Sequence, residues 1–275
     1  ALNSEKTIKY AENLIDKGCH GVVFFGSTGQ SQLISLSEKI QLINLLPKSN
    51  YRDKFIIGTG LNSLVDNINL IKIAKSNGFN KFLIMPPAYY KYSDHDVINF
   101  YSRIIDEINE CKIILYNFEK LSGYKFSIDC VEELVKKFPS QIVGVKDSSY
   151  NLYENLKIDN FSVMPGSESK LLKGLELGCS GIITATTNVT SILARDVYDK
   201  FQNGSDQSSN EKLCLVRSIF DKFNLISGLH TFMAQIDQDY QHLIPPLKLL
   251  NENEKKIFFD ELQKLDFDFK HLKAA

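Results

Sequence analysis

The chain has no excess of either charge. Lys and Arg number 32 and Asp and Glu 33, a formal net charge of -1, with the two signs evenly mixed. It therefore lacks the basic footprint by which proteins hold nucleic acid or an anionic membrane surface. It lacks an apolar run long enough to cross a bilayer, and no signal-peptide pattern opens it. It has only five histidines, none spaced from a second His, Cys or carboxylate as metal ligands are. The five cysteines, Cys19, Cys111, Cys130, Cys179 and Cys214, are odd in number, scattered, and contain no C-x-x-C pair. That speaks against a disulfide framework and a zinc site, and for thiols in a reducing, cytoplasmic setting. Gly26-Ser-Thr-Gly29 has the wrong spacing for a dinucleotide-binding turn or a Walker loop.

What the chain does have is alternation, over 275 residues that can bury a sizeable core. Residues 4–17 place Ile8, Ala11, Leu14 and Ile15 at helical spacing, with Ser4 as N-cap and Gly18 as stop. Short apolar runs follow at 21–26, 54–58, 81–85, 112–116, 141–146, 161–164 and 181–184. Helical patterns separate them, one capped by Ser35 or Ser37 and others at 65–76, 95–110, 128–138, 150–156 and 168–178. Such alternation means parallel strands joined by right-handed helical crossovers. The fold class is α/β, a (β/α)8 barrel with seven of its eight strands visible. Because the chain opens on a helix that should follow a strand, the first strand is expected to be missing from this sequence. An open doubly wound sheet is the alternative. Residues 192–201 read as the last barrel helix and 202–209 as a polar linker. Helices near 210–226, 228–240 and 252–264, the last two separated by Pro245-Pro246, form a helical cap or an oligomer interface. The expected division is a barrel over 1–203 and a C-terminal helical region over 204–275.

In such a barrel the chemistry lies after the carboxyl ends of the strands. Lys146 ends the run Ile142 to Val145, which shows no polar alternation and reads as buried on both faces. A lysine there is either a snorkelling edge residue or an amine kept neutral for chemistry. The other strand ends carry Gly26-Ser27-Thr28-Gly29, read as a helix start able to hold a carboxylate, then Pro86-Pro87-Ala-Tyr89-Tyr90, Tyr116-Asn117 and Gly166-Ser-Glu168. An amine, a phenol, hydroxyls and an anion pocket suit Schiff-base chemistry on a 2-keto acid. Each feature also has a plain reading, since glycine-serine turns cap helices and strand-end tyrosines commonly pack in cores.

Five stretches in order, Gly26-Ser-Thr-Gly29, Pro87-Ala-Tyr89-Tyr90, Tyr116-Asn117, Gly144-Val-Lys146-Asp-Ser and Gly178-Cys-Ser-Gly181, give a family likeness. From about Ser4 to residue 247 the chain resembles the dihydrodipicolinate synthase / N-acetylneuraminate lyase family of class I, pyruvate-binding aldolases. The resemblance implies a TIM barrel and an imine formed through Lys146, with no cofactor and no metal. It implies Tyr116 as the proton-shuttling phenol, Ser27 and Thr28 as carboxylate ligands, Ser27 as a relay, and Tyr90 completing the relay, in many members from a neighbouring subunit. It further implies substrate contacts at position 121 and at Ser148, Gly166, Glu168 and Ile183, and a homotetramer acting on pyruvate and an aldehyde.

Departures from the family pattern narrow the substrate. Gln30 stands where members usually carry Glu, a group that holds the loop, and Phe118-Glu119 replaces a usual Pro. Dihydrodipicolinate synthases carry arginine where this chain has Leu121, and a leucine cannot replace a bidentate cation. Leu121-Ser-Gly and the Ser27-Thr28 pair resemble the sialic acid lyase branch, though Gly166-Ser-Glu168-Ser169 matches its acidic pair only in part. The leading expectation is reversible cleavage of a 2-keto-3-deoxy sugar acid. The alternatives are condensation of pyruvate with aspartate semialdehyde, a metal-dependent aldolase, and a binding or assembly relative without catalysis.

Overall fold

A computed structural model describes residues 2–108 and 110–268. Six parallel strands form one sheet in chain order: β1 (Val22–Phe24), β2 (Phe55–Gly58), β3 (Lys81–Ile84), β4 (Lys112–Asn117), β5 (Ile142–Asp147) and β6 (Ser162–Pro165). A helix follows most strands: α1 (Ser4–Asp16) precedes β1, and α2 (Leu36–Leu45), α3 (Leu64–Ser76) and α4 (Asp94–Glu107) follow β1 to β3. After β4 come the single turn α5 (Glu119–Ser122) and α6 (Ile128–Lys137); after β6 come α7 (Leu171–Glu176) and α8 (Thr187–Gln202). The C-terminal helices are α9 (Ser208–Phe220), α10 (Leu225–Met233) and α11 (Glu252–Lys264). Strand order that follows chain order without reversal rules out the doubly wound alternative, in which the order reverses at a switch point.

Alternate side chains of the sheet pack against different layers. Phe24, Ile57, Phe82, Ile113, Leu115 and Val145 face the helices in the main core. Val23, Ile56, Leu83, Ile114, Met164 and Ile183 cluster on the inner face. Each fully buried Leu, Ile or Phe contributes about 1.5–3 kcal/mol, so the two layers set the strand register. Gly58 is required by this closeness, because a Cβ there would lie 2.7 Å from the Phe25 carbonyl oxygen. The ring of helices closes where α1 meets α8: Tyr10 donates its hydroxyl to the Asn188 carbonyl, and Arg195 donates to the Gly18 carbonyl.

Several sequence expectations need correction. Residues 181–184 form no regular strand; Ser180 and Ile183 donate to the Val163 and Pro165 carbonyls, but Gly181 at φ +140° breaks the even spacing a parallel ladder needs. Residues 150–156 form turns instead of a helix. The Asp147 carboxylate takes the N–H groups of Tyr150, Leu152 and Tyr153, and Tyr150 sits at φ +60°. α1 is capped by Asn3, whose side chain accepts from the Lys6 N–H, and not by Ser4. The expected helix over 228–240 ends at Met233, with a 3₁₀ turn at Gln238–Gln241 beyond it. Asn109, in the helix expected over 95–110, and residues 1 and 269–275, in the expected barrel and C-terminal regions, lie outside the described residues.

Candidate active site

A β-bulge aims Lys146. The β4–β5 register pairs Ile113 with Ile142 but Ile114 with Gly144, so Val143 is an extra residue on β5. Without it, strict alternation from Ile142 would turn Lys146 toward the helices. With it, Ile142 and Val145 pack outward in the main core and Lys146 turns inward. Gly144 permits the bulge to sit tight against β6, since a Cβ there would lie 2.6 Å from the Ser162 carbonyl oxygen. Lys146 is then flanked by Tyr116 on β4 and Met164 on β6.

Lys146 is 8% exposed and belongs to no ion pair among the described residues. Its Nζ donates to Tyr116 Oη at 3.2 Å and lies 4.2 Å from that ring's centroid. On its other side Tyr116 Oη is 3.3 Å from Ser27 Oγ. Amine, phenol and hydroxyl thus form one line from the ends of β5, β4 and β1. Lys146 and Ser27 border a cavity of about 1180 Å³, with Thr28, Met164, Ile183 and Thr184 also on its wall.

Asp147 holds this arrangement from behind. It is fully buried and accepts from Asn117 Nδ2 at 2.8 Å and from three backbone N–H groups, of Tyr150, Leu152 and Tyr153, at 2.9–3.0 Å. Asn117 Oδ1 in turn accepts from the Phe126 N–H, and its Nδ2 also donates to Asn151. A hydrogen bond to a charged group contributes about 1.5–3 kcal/mol, so this cluster pins the ends of β4 and β5 in register.

The remaining expected residues fall in different places. Gly166 donates its N–H to the Asp147 carbonyl, and Ser148 donates its own to the Asn117 carbonyl, so both edge the β5–β6 end. Glu168 is fully buried; its Oε2 accepts from Arg217 Nη1 at 2.7 Å and Thr184 Oγ1 at 2.8 Å, while Oε1 has no hydrogen-bond partner among the described residues. Leu121, on α5, is 44% exposed and offers only carbon. Tyr90 is not on the cavity wall. It is 68% exposed, with its ring edge-on to the still more exposed Tyr89, and Tyr89 sits at φ +90°.

The Gly26–Gly29 loop does not open an α-helix, which corrects the helix-start reading. It closes through the Gln30 N–H to the Ser27 carbonyl and passes into a single 3₁₀ turn at Ser31–Leu33; α2 begins only at Leu36, capped by Ser35. Any anion pocket here rests on the loop's own N–H groups and hydroxyls. Sequence reading also passed over Asp147 as a holding group, Arg217, and His230, which contacts Gln30. A carboxylate placed directly after a strand-end lysine was the one available signal. The cysteines offer no competing nucleophile: burial pushes the Cys19, Cys111 and Cys130 thiols up to about 11. Among the described residues, no three His, Cys, Asp or Glu side chains are grouped to hold a metal ion.

Comparison with known proteins gives the family and the fold. The model of the dihydrodipicolinate synthetase family matches residues 1–265. An uncharacterized DapA-like lyase of Chloroflexus aurantiacus is 29% identical over 253 residues, 88% of this chain and 84% of the relative. The 4-hydroxy-tetrahydrodipicolinate synthase of Methanopyrus kandleri is 28% identical over 274 residues, 96% of this chain and 90% of the relative. That of Listeria monocytogenes is 31% identical over 228 residues, 78% and 77% respectively. Among solved structures, YagE of E. coli K12, a dihydrodipicolinic acid synthase family member in complex with pyruvate, superposes with TM-score 0.86 at 22% identity, covering 97% of this chain and 93% of that one. The 4-hydroxy-tetrahydrodipicolinate synthase of Methylacidiphilum fumariolicum gives TM-score 0.88 at 22% identity, covering 99% and 93%. These superpositions give the curled parallel sheet a TIM-barrel-like fold.

Proposed function

The chain belongs to the dihydrodipicolinate synthetase family of lyases, and on that premise we propose that it binds pyruvate as an imine on Lys146 and makes or breaks a bond at the adjacent carbon. The observation that carries this reading is the line Lys146–Tyr116–Ser27, with separations of 3.2 and 3.3 Å. In the synthetic direction Lys146 Nζ attacks the keto carbon, water leaves, and a protonated imine remains. The imine accepts the electron pair when a C3 proton departs, and the resulting enamine attacks the aldehyde carbon. In cleavage the same steps run backward: the bond between C3 and C4 breaks, its electrons enter the imine, and C3 takes a proton before water releases pyruvate. Tyr116 Oη lies where it can pass protons between Lys146 and Ser27, and Thr28 with the loop N–H groups supports the keto-acid carboxylate.

For the second substrate we favour a 2-keto-3-deoxy sugar acid, because Leu121 presents no donor to a second carboxylate. The reading with aspartate semialdehyde has its own support, since several similar proteins are named 4-hydroxy-tetrahydrodipicolinate synthase. A panel of keto-sugar acids and aldehydes, assayed for pyruvate formed or consumed, separates them. With aspartate semialdehyde, kcat/KM should be about ten- to a hundredfold below that with the best sugar-derived aldehyde, the equivalent of a lost charge-assisted contact of about 1.5–3 kcal/mol. Efficient turnover of aspartate semialdehyde would establish the synthase reading instead.

Exposed Tyr89 and Tyr90 support an assembly, as aromatic residues are enriched in interface cores. We propose a homotetramer in which Tyr90 enters a neighbouring site and extends its proton relay. Tyr90→Phe keeps the ring, so assembly should survive while turnover falls about 10²-fold. Sedimentation and steady-state rates check both; an oligomeric Phe variant with normal turnover would leave Tyr90 a packing residue. The gap between β1 and the 180–184 segment is the place we assign to the barrel's remaining strand.

A further inference from the structure

The loop that carries Ser27 and Thr28 is tied to a distant part of the chain through one side chain. Gln30 closes the loop, its N–H donating to the Ser27 carbonyl at 3.0 Å, and its backbone is left-handed at φ 57° and ψ 31°. A non-glycine residue holds that conformation only where surrounding contacts impose it. Here both ends of the side-chain amide are engaged. Oε1 accepts from the Ile244 N–H at 2.9 Å, and Nε2 lies 3.1 Å from His230 Nε2 on α10. His230 Nδ1 lies 2.9 Å from the Tyr240 carbonyl oxygen.

The two terminal groups fix every proton between them. A backbone N–H only donates, so Ile244 faces the amide oxygen and leaves Nε2 of Gln30 to donate. A carbonyl only accepts, so the proton of His230 is on Nδ1 and its Nε2 receives the Gln30 N–H. The chain is satisfied only with a neutral imidazole. An imidazolium would set an N–H against an N–H, and turning the amide over would set another against Ile244.

We propose that Gln30, through neutral His230, is the positioning residue that holds the Ser27–Thr28 loop in shape to receive the keto-acid carboxylate. The inference rests on the pyruvate reading of the site and adds to it a residue that acts through the loop and not on the reacting atoms. Around the imidazole stand the rings of Tyr240 and, beyond it, Tyr10 of α1. Lys6 lies over Tyr240 and is paired with Asp237 and Asp239. His230 itself forms no ion pair among the described residues. Burial lowers its pKa from the ordinary value of 6.5, against the opposing effect of the Tyr240 carbonyl. A lowered pKa leaves the tether intact at and above the ordinary value and breaks it as pH falls through the folded-state value.

Gln30→Glu reverses that requirement. A carboxylate has no proton to give a neutral imidazole and pairs with it only once the ring is protonated, so the variant's tether should form at low pH and fail at high pH. The readout is the pyruvate concentration giving half-maximal borohydride trapping on Lys146, which needs no aldehyde. Taken as the ratio of variant to wild type at each pH, it cancels pH effects common to the two proteins. The ratio should be about tenfold or more near pH 8, approach one below about pH 6 and fall below one once the wild-type tether breaks, with the trapped yield at saturation unchanged. His230→Gln keeps one acceptor and one donor and cannot titrate. As the same ratio to wild type, its half-saturation should stay within about threefold of one near pH 8 and fall below one as pH drops and the wild-type tether breaks. A Gln30→Glu ratio that is flat, or rises as pH falls, overturns the tether, as does a His230→Gln ratio that stays flat as pH falls. Should wild-type protein trap no pyruvate at Lys146, the pyruvate reading falls and the tether's role with it. Trapping by the wild type without inversion in Gln30→Glu sinks the tether alone.

Discussion

Lys146→Ala should lower pyruvate-dependent turnover by roughly 10⁴-fold or more while the protein stays folded. The imine is the only electron sink the proposed reaction has, so nothing in the cavity can take over its part. The fold should survive because the amine forms no ion pair among the described residues, and its removal strands no buried carboxylate. What is lost locally is a hydrogen bond to Tyr116 and the packing of an alkyl stem. Thermal unfolding beside steady-state rates checks both halves, and an alanine variant that turns over near the wild-type rate would end the assignment.

Tyr116→Phe should cost about 10²–10⁴-fold in kcat and leave the trapped imine obtainable at long incubation. The ring would remain in its inner-face cluster with Leu83 and Ile114, so assembly and stability change little. What disappears is the oxygen between Lys146 Nζ and Ser27 Oγ, and with it the path by which protons reach and leave the amine. The informative comparison is between slow single turnover and preserved final yield. A variant that turns over normally would mean that protons travel by another route, and a variant that never forms the imine would make Tyr116 part of binding.

The alternation of strands and helices was legible because each strand is a dense apolar run and most helices open on a serine or asparagine cap. Ser35, Ser63, Ser93 and Ser127 each accept from the N–H three residues on. What was not legible is set by neighbours distant in sequence. Residues 150–156 have helical spacing, but a carboxylate that precedes them takes their N–H groups. Residues 181–184 are as apolar as a strand, and only the contact with β6 shows that their hydrogen bonds are irregular. Lys146 was found by its position at the end of a run, whereas its direction depends on a bulge that no single strand reveals. Glu168 stood out as an exposed-type acid at a strand end; its partner Arg217 lies 49 residues away on a helix whose pattern suggested only packing. The tie between Gln30 and His230 spans 200 residues, and no local motif announces it.

The central claim is tested most directly by treating the protein with pyruvate and borohydride and mapping the labelled lysine by mass spectrometry. The chain contains a built-in control. Lys39 is fully buried, burial lowers its pKa to about 8, and its Nζ donates to the Thr59 carbonyl at 2.7 Å and the Gly60 carbonyl at 3.2 Å. If a lowered pKa alone decided reactivity, Lys39 would compete for the label; the account predicts that it does not, because it is enclosed and faces no relay. One pyruvate-derived increment per chain, on Lys146 and absent from Lys146→Ala, is the expected result. An unmodified protein, or a label on Lys39 or any other lysine, would contradict the account.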